Sequence, residues 1–193
     1  MKPVKKEAYH HGDLRSALVA LALERVRHGG AESFSLREAA RDAGVTSGAA
    51  YKHFADKDEL LTAVAAEALT LLAQRSQKAT SGLKGKERLH ASAMAYIDFA
   101  AAEPRLFHLA FSRFGSDGKT EKDGVPSAFT QLRLAVGELQ SDPAKPVDPD
   151  ALALAWAVAH GIASLISDGM WKKSDPRVAA ALRLSFKGIA PGK

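Results

Sequence analysis

Residues 34–61 read FSLREAARDAGVTSGAAYKHFADKDELL, and this stretch decides the fold. Ser35-Leu36-Arg37-Glu38 reads as a capping box, in which the Ser35 hydroxyl and the Glu38 carboxylate reciprocally satisfy free amides at a helix start. Leu36, Ala39, Ala40 and Ala43 carry that helix to Gly44. Thr46 is a good N-cap for a second, short helix ending near Phe54. Asp56-Lys57-Asp58-Glu59 caps a further helix that continues to about Ala73. The first two helices are joined by Ala43-Gly44-Val45. Small Ala39, Ala40 and Ala43 let them approach, Gly44 supplies the turn, and Val45, Ala50 and Phe54 plug the space beneath. This is the chemistry of a helix-turn-helix, whose second helix presents its N-terminus to the major groove of DNA.

At about 100° per residue, Ser47, Gly48, Tyr51 and Lys52 share one arc of that second helix, and Ala50 lies outside it. Phe54 falls close to Ser47 on the wheel, so periodicity alone does not assign it to the core. Ser47, Gly48 and Ala49 are small and let the helix approach the base edges, and Thr46, its N-cap, is counted with the DNA-binding residues. Lys52 can reach a guanine or a phosphate. Tyr51 and His53 can donate to phosphate oxygens. Two flanking helix starts, at Ser35, Leu36 and Arg37 and at Lys57, offer free amides and positive dipole ends to backbone phosphates.

Outward from this centre the chain reads as helical throughout. Leu14, Leu18, Leu21, Ala22 and Val26 give one apolar face to a first helix over Asp13–Arg27, stopped by Gly29-Gly30. Beyond Gly82, helices are expected at 86–102, 104–114, 126–139, 149–167 and 176–189. Several open with proline at the first helical position, where its missing N–H costs nothing. Residues 115–124 and 141–147 read as loops. The result is an all-α protein of about nine helices, with a head over residues 1–60 and a body over 61–193.

Bulk properties narrow the function. The chain has 193 residues, 46% of them apolar, enough for a proper core. It has no cysteine, which removes disulfides, zinc fingers and thiol catalysis together and suits a cytoplasmic location. The net charge of +5 is compatible with a polyanionic partner but is not concentrated in the head, where residues 1–60 hold ten Lys/Arg against nine Asp/Glu. Lys2, Lys5 and Lys6 read equally as a solvated end or as an arm along phosphates. The apolar run 151–166 is shorter than the roughly 20 residues of a membrane helix and reads as a buried one, so no membrane partner is expected.

The quoted stretch closely resembles the signature of the TetR family of transcriptional regulators. Tyr51-Lys-His-Phe followed by Asp56-Lys-Asp-Glu-Leu60 is its most specific part, and the match covers residues 9–65. Tyr9-His-His-Gly-Asp-Leu-Arg15 looks like the first-helix start of one subgroup. Ala39 and Ala50 are smaller than the aliphatics usual at those positions. The resemblance implies a homodimer on double-stranded DNA, with recognition helices about 34–36 Å apart on a near-palindromic operator. It further implies a repressor released by a small-molecule effector, and a four-helix bundle formed by the last two helices of each subunit.

In the body, Trp156-Ala-Val-Ala-His160-Gly161 resembles the Trp-His-Gly pattern of a C-terminal domain in some of these regulators. Trp156 and His160 lie on one helix face, where they either shape a helix contact or touch a ligand; both readings stand at this point. Gly161 inside a helix costs about 1 kcal/mol relative to alanine, which suggests a close crossing there. A largely apolar effector needs an apolar wall, for which Met94, Phe99, Phe107, Phe111, Phe129, Leu132 and Trp156 are candidates, with His160 beside them.

The remaining motifs read blandly. The adjacent His10 and His11 do not face one way, His28 and His53 sit at helix ends in the head, and His90, His108 and His160 converge only if the tertiary fold brings them together, so no metal or other cofactor is expected. No nucleophile elbow, phosphate-cradling glycine loop or His-Glu-x-x-His marks an enzyme. Asp56, Asp58 and Glu59 read as caps rather than a carboxylate cluster. A competing reading keeps the DNA-binding head and makes the body a protein-interaction scaffold. A filled or very small cavity would favour it.

Overall fold

The structure is a computed structural model, and it describes residues 14–114, 127–140, 142 and 144–189. Asp13, the basic residues near the N-terminus, His10, His11, the 115–124 loop and Pro126 lie outside the described residues. The elements run α1 Leu14–Gly29, α2 Leu36–Asp42, α3 Ser47–Tyr51, α4 Lys57–Thr80, α5 Gly85–Ala102, α6 Pro104–Phe114, α7 Ala128–Gly137, α8 Pro149–Ser167 and α9 Pro176–Ile189, with a single 3₁₀ turn at Ala31–Ser33 after α1. No strand occurs among the described residues.

The helix starts follow from their caps. In α2 the Ser35 amide donates to Glu38 Oε2 at 2.7 Å, and the Glu38 amide donates to Ser35 Oγ at 3.3 Å. In α4 the Glu59 amide donates to Asp56 Oδ1 at 2.8 Å. In α7 the Thr130 amide donates to Ser127 Oγ at 3.1 Å. α8 begins with Pro149 under the Asp148 cap.

Three helices differ clearly in length from the sequence expectation: α7, expected over 126–139, spans only Ala128–Gly137, because Ser127 caps it and Glu138 ends it. α3 has only five residues, and His53 and Phe54 already lie in the turn beyond it. α4 runs seven residues past Ala73 to Thr80. Its inward face passes from Leu69 and Leu72 to Ser76 and Thr80, which are buried although polar. The hydroxyl of Thr80 donates to the Ser76 carbonyl at 2.9 Å, so the helix continues where apolar periodicity stops.

α1 to α3 form the head, and α4 starts there and runs into the body. α5 packs against α4, α7 and α8, and α9 packs on α8. One core runs from Leu18 in α1 through Phe54 and Leu60 to Leu106, Ile162 and Leu182. A smaller cluster around Leu89, Leu132 and Val136 sits between α5, α7 and α8. α8 is long and apolar enough, by composition, to cross a membrane; the expectation of a buried helix holds only for its Ala155, Ala159, Ile162, Ala163 and Ile166 side, which packs against α5 and α9, while Ala153, Leu154 and Ala157 are exposed.

Candidate nucleic-acid interface and body cavity

The head is built around its turn. Gly44 has φ +72°, a left-handed conformation that strains any residue with a Cβ. The Val45 amide donates to the Ala40 carbonyl at 3.0 Å and folds the chain back under α2. Ala39, Ala40 and Ala50 are fully buried, so the small side chains set the close approach of α2 and α3. Phe54, which the helical wheel left unassigned, is core, with the Arg15 guanidinium 4.9 Å from its ring centre.

On the outer surface Gly48, Tyr51, Lys52 and His53 are exposed, and Ser47 and Ala49 are half-buried. Thr46 is exposed, and its Oγ1 accepts from the Ala49 amide at 3.3 Å. Lys52 makes no ion pair among the described residues, which leaves its ammonium available. Arg37 is exposed on the first turn of α2. Ser35 is committed to its cap, and the Leu36 side chain is buried at 2% exposure, so only its backbone faces outward. Lys57 is half-buried, 5.6 Å from the Phe34 ring centre and 3.8 Å from Glu32. The Ser35 backbone amide and then its hydroxyl hold the Glu38 carboxyl below its ordinary pKa, so the capping box stays charged.

Between α4, α5, α6, α7 and α8 lies a narrow cavity of about 40 Å³. Its wall is Leu69 and Leu72 of α4, Ser92, Ala93 and Tyr96 of α5, Phe111 of α6, Ser127, Ala128, Phe129 and Leu132 around α7, and Trp156 and Ala159 of α8. Of the expected residues, Phe111, Phe129, Leu132 and Trp156 line it. His160 and Phe107 stand behind the wall. His160 stacks on Trp156 at 4.9 Å between ring centres, and Phe107 is 5.6 Å from His160. Phe99 and Met94 do not line the cavity: Phe99 is fully buried beneath Arg75, and Met94 packs on the core. Tyr96, Ser92, Leu69 and Leu72 were missed. Tyr96 and Ser92 lie one turn apart on α5, a signal that a wheel of that helix would have shown.

Tyr96 Oη and His160 Nδ1 are hydrogen-bonded at 2.8 Å. Burial pushes the Tyr96 phenol up and the His160 imidazole down, so both are neutral at pH 7. Trp156 lines the cavity, and His160 stacks behind it and bonds Tyr96. Among the described residues no close helix crossing occurs at Gly161, because a Cβ placed there would meet none of their atoms within 4 Å.

α6 connects this cavity to the head. At its start, Arg105 Nη1 donates to the carbonyls of Arg27 at 3.2 Å and His28 at 2.9 Å, at the end of α1. At its other end Arg113 clasps Asp58 and Thr62 at the start of α4, with Nη1 donating to Asp58 Oδ2 at 2.8 Å and Thr62 Oγ1 at 2.9 Å. The Arg113 hydrogen bond holds the Asp58 carboxyl below its usual range. Just before α6, buried Glu103 accepts from Arg27 and Arg75. Sequence reading gave no sign of these side-chain bonds between distant segments.

A helix-turn-helix head with an exposed recognition surface, joined to an all-helical body with an internal apolar cavity, defines a DNA-binding regulator. Residues 18–64 match the family model described as bacterial regulatory proteins, tetR family, and residues 89–186 match the tetracyclin repressor-like C-terminal domain. The chain belongs to the TetR family of DNA-binding transcription regulators. A protein of unknown function from Rhodococcus sp. RHA1 is 29% identical, with a TM-score of 0.68 over 96% of this chain and 100% of that one. BioQ in complex with its double-stranded DNA operator is 26% identical, with a TM-score of 0.64 over 92% of this chain and 98% of that one. Mycobacterium smegmatis BioQ is 27% identical, with a TM-score of 0.63 over 92% and 98%.

Proposed function

We propose that this protein is a homodimeric repressor that occupies a near-palindromic operator and leaves it when a small, largely apolar ligand enters the body cavity. Residues 1–60 are the DNA-reading head and 61–193 the effector and dimer body. Thr46 to Ala49, Tyr51, Lys52 and His53 face the groove and its edges, while the amides near Ser35, Leu36 and Arg37 and the start of α4 at Lys57 face phosphates. The observation that carries the reading is α6: Phe111 lines the cavity, and Arg105 and Arg113 grip α1 and α4 in the same helix. A ligand that displaces Phe111 therefore moves the supports of the head. The relative crystallised on its operator supports the DNA partner. The reaction of the protein is binding rather than catalysis, and its place is the cytoplasm, with the DNA.

The dimer reading has its own support. Leu154 of α8 and Leu184 of α9 are 40% and 65% exposed, and Ala153 and Ala157 of α8 are exposed beside them. Such a face on adjacent apolar helices suits a second copy of the chain.

Pull-down and sequencing of genomic fragments at near-physiological salt tests the proposal. A shared near-palindrome beside a few promoters is the expected result. Diffuse, salt-sensitive binding alone would overturn it. The scaffold reading draws on one observation, the small cavity, since drug-sized ligands fill about 300–1,000 Å³. Thermal stabilisation by a small apolar molecule separates the two, because a ligand that binds only the native state raises its stability.

A further inference from the structure

We infer that Arg27 is a positioning residue for the DNA-reading head: it latches α1 to the body through Glu103 and, holding Glu24 as well, can release Glu103 without stranding a charge. The inference rests on the head and body division proposed above.

Glu103 ends α5 and is 8% exposed. Its Oε2 accepts from Arg27 Nε at 2.7 Å, and its Oε1 accepts from Arg75 Nη2 at 2.9 Å. Arg27 belongs to the head, whereas Arg75 lies well along α4 and is held over the Phe99 ring at 5.2 Å. Arg27 also touches a second carboxylate through its Nη1, that of Glu24 one turn earlier on α1. Glu24 is on the head and half-exposed, while Glu103 is on the body and buried.

Breaking a buried ion pair is costly chiefly because one charge is left without compensation. This network avoids that penalty on both sides. When Arg27 leaves, Glu103 keeps Arg75, and Arg27 keeps Glu24. Opening the latch then strands neither charge, which lowers the cost of the second arrangement that a ligand or operator must meet to bias one over the other. Arg105 holds the last carbonyls of α1 from the first turn of α6, so the joint pivots at its side chains instead of separating. Glu103 adjoins α6 and terminates α5, the helix that gives Tyr96 to the cavity, so displacement at the cavity reaches the latch along a single helix.

The test uses the full chain, whose lack of cysteine allows site-specific spin labels. Arg41→Cys on α2 and Lys86→Cys on α5 are exposed sites, and labelled chains are diluted with unlabelled ones so that distances report a single protomer. Pulsed electron spin resonance should give a narrow head-to-body distance distribution in the parent. Arg27→Gln should broaden it and weaken binding to the recovered operator by about 5- to 150-fold, the usual span of coupling between sites, with unchanged helix content. Glu24→Gln removes the second carboxylate of Arg27, which also lies 3.7 Å from His28 Nε2, and leaves the Glu103 latch in place, so it should keep the distribution narrow and the operator affinity undiminished. Arg27→Lys keeps the charge but cannot bridge two carboxylates with a planar fork, and should broaden the distribution less; it serves where Arg27→Gln fails to fold. Parent-like distributions in both Arg27 variants, or broadening with unchanged operator affinity, would overturn the inference. The distance measurement needs no effector, so failure of the ligand-release reading remains distinguishable from failure of the latch.

Discussion

Lys52 is the side chain whose surroundings most clearly prepare it for DNA. It stands at the end of α3, its amide donates to the Ala49 carbonyl at 3.3 Å, and its ammonium makes no ion pair among the described residues. Alanine keeps the backbone bond and removes only the charge. Lys52→Ala should therefore weaken operator binding, reduce the log–log salt slope by about 1 if the contact is to phosphate, and leave thermal unfolding unchanged. Unaltered affinity in a filter-binding or anisotropy titration would remove α3 from the interface. His160 supports a prediction of a different kind. Burial lowers its pKa in the folded state below the ordinary 6.5, so the unfolded chain binds the proton more readily. Its contribution to stability is complete above about pH 6.5 and is lost as pH falls below that value toward its folded pKa. His160→Gln preserves an acceptor for Tyr96 and removes the titration. Between pH 7.5 and 5.5 the variant should lose less stability than the parent in denaturant melts; parallel curves would contradict the assignment.

At the scale of elements, the turn between α2 and α3 depends on a single backbone conformation. Nothing lies within 4 Å of a Cβ placed on Gly44, so the space there is open and only its φ of +72° resists substitution. Gly44→Ala should cost about 1–2 kcal/mol in urea unfolding, the penalty of a left-handed residue, and Gly44→Asn should cost less. A neutral Gly44→Ala would mean that the turn relaxes to another geometry. The same elements show what a sequence reveals. Local chemistry was legible: the Ser35–Glu38 box, the Gly44 turn and the prolines of α6, α8 and α9 act over three or four residues. The length of α4 was not, because its buried stripe changes from leucine to Ser76 and Thr80 and loses its apolar mark. The brevity of α3 was hidden as well, since Tyr51 to Phe54 keep helical spacing while Phe54 turns inward to the core. In the body, half of the expected wall was found. Aromatic character points to burial but not to which face of a buried helix borders a void, so Phe99 and Tyr96 were interchanged. The bonds of Glu103, Arg105 and Arg113 join residues 28 to 78 positions apart, and no local pattern announces them.

For the whole molecule, the decisive question is what covers α8. Gly161 costs helix stability, yet among the described residues no atom lies within 4 Å of a Cβ placed there. Ala153, Ala157 and Gly161 follow one another at single-turn spacing, the first two exposed and the third half-buried. Small residues in such a row permit two helix backbones to come close, and in the proposed dimer the crossing that would justify Gly161 is with the α8 of a second subunit. This separates two effects that usually coincide. Gly161→Leu should be tolerated by the isolated protomer, because a Cβ there meets none of the described residues within 4 Å and leucine favours helix, but it should obstruct the subunit crossing of the proposed dimer. Circular dichroism should be unchanged, while sedimentation equilibrium should show dissociation at concentrations where the parent is a dimer. Operator affinity should fall by about 10²–10⁴-fold, because the second head no longer binds at the high effective concentration set by its partner. A variant that remains dimeric and binds the operator normally would place the subunit interface elsewhere, and Gly161 would need another reason for its place in the helix.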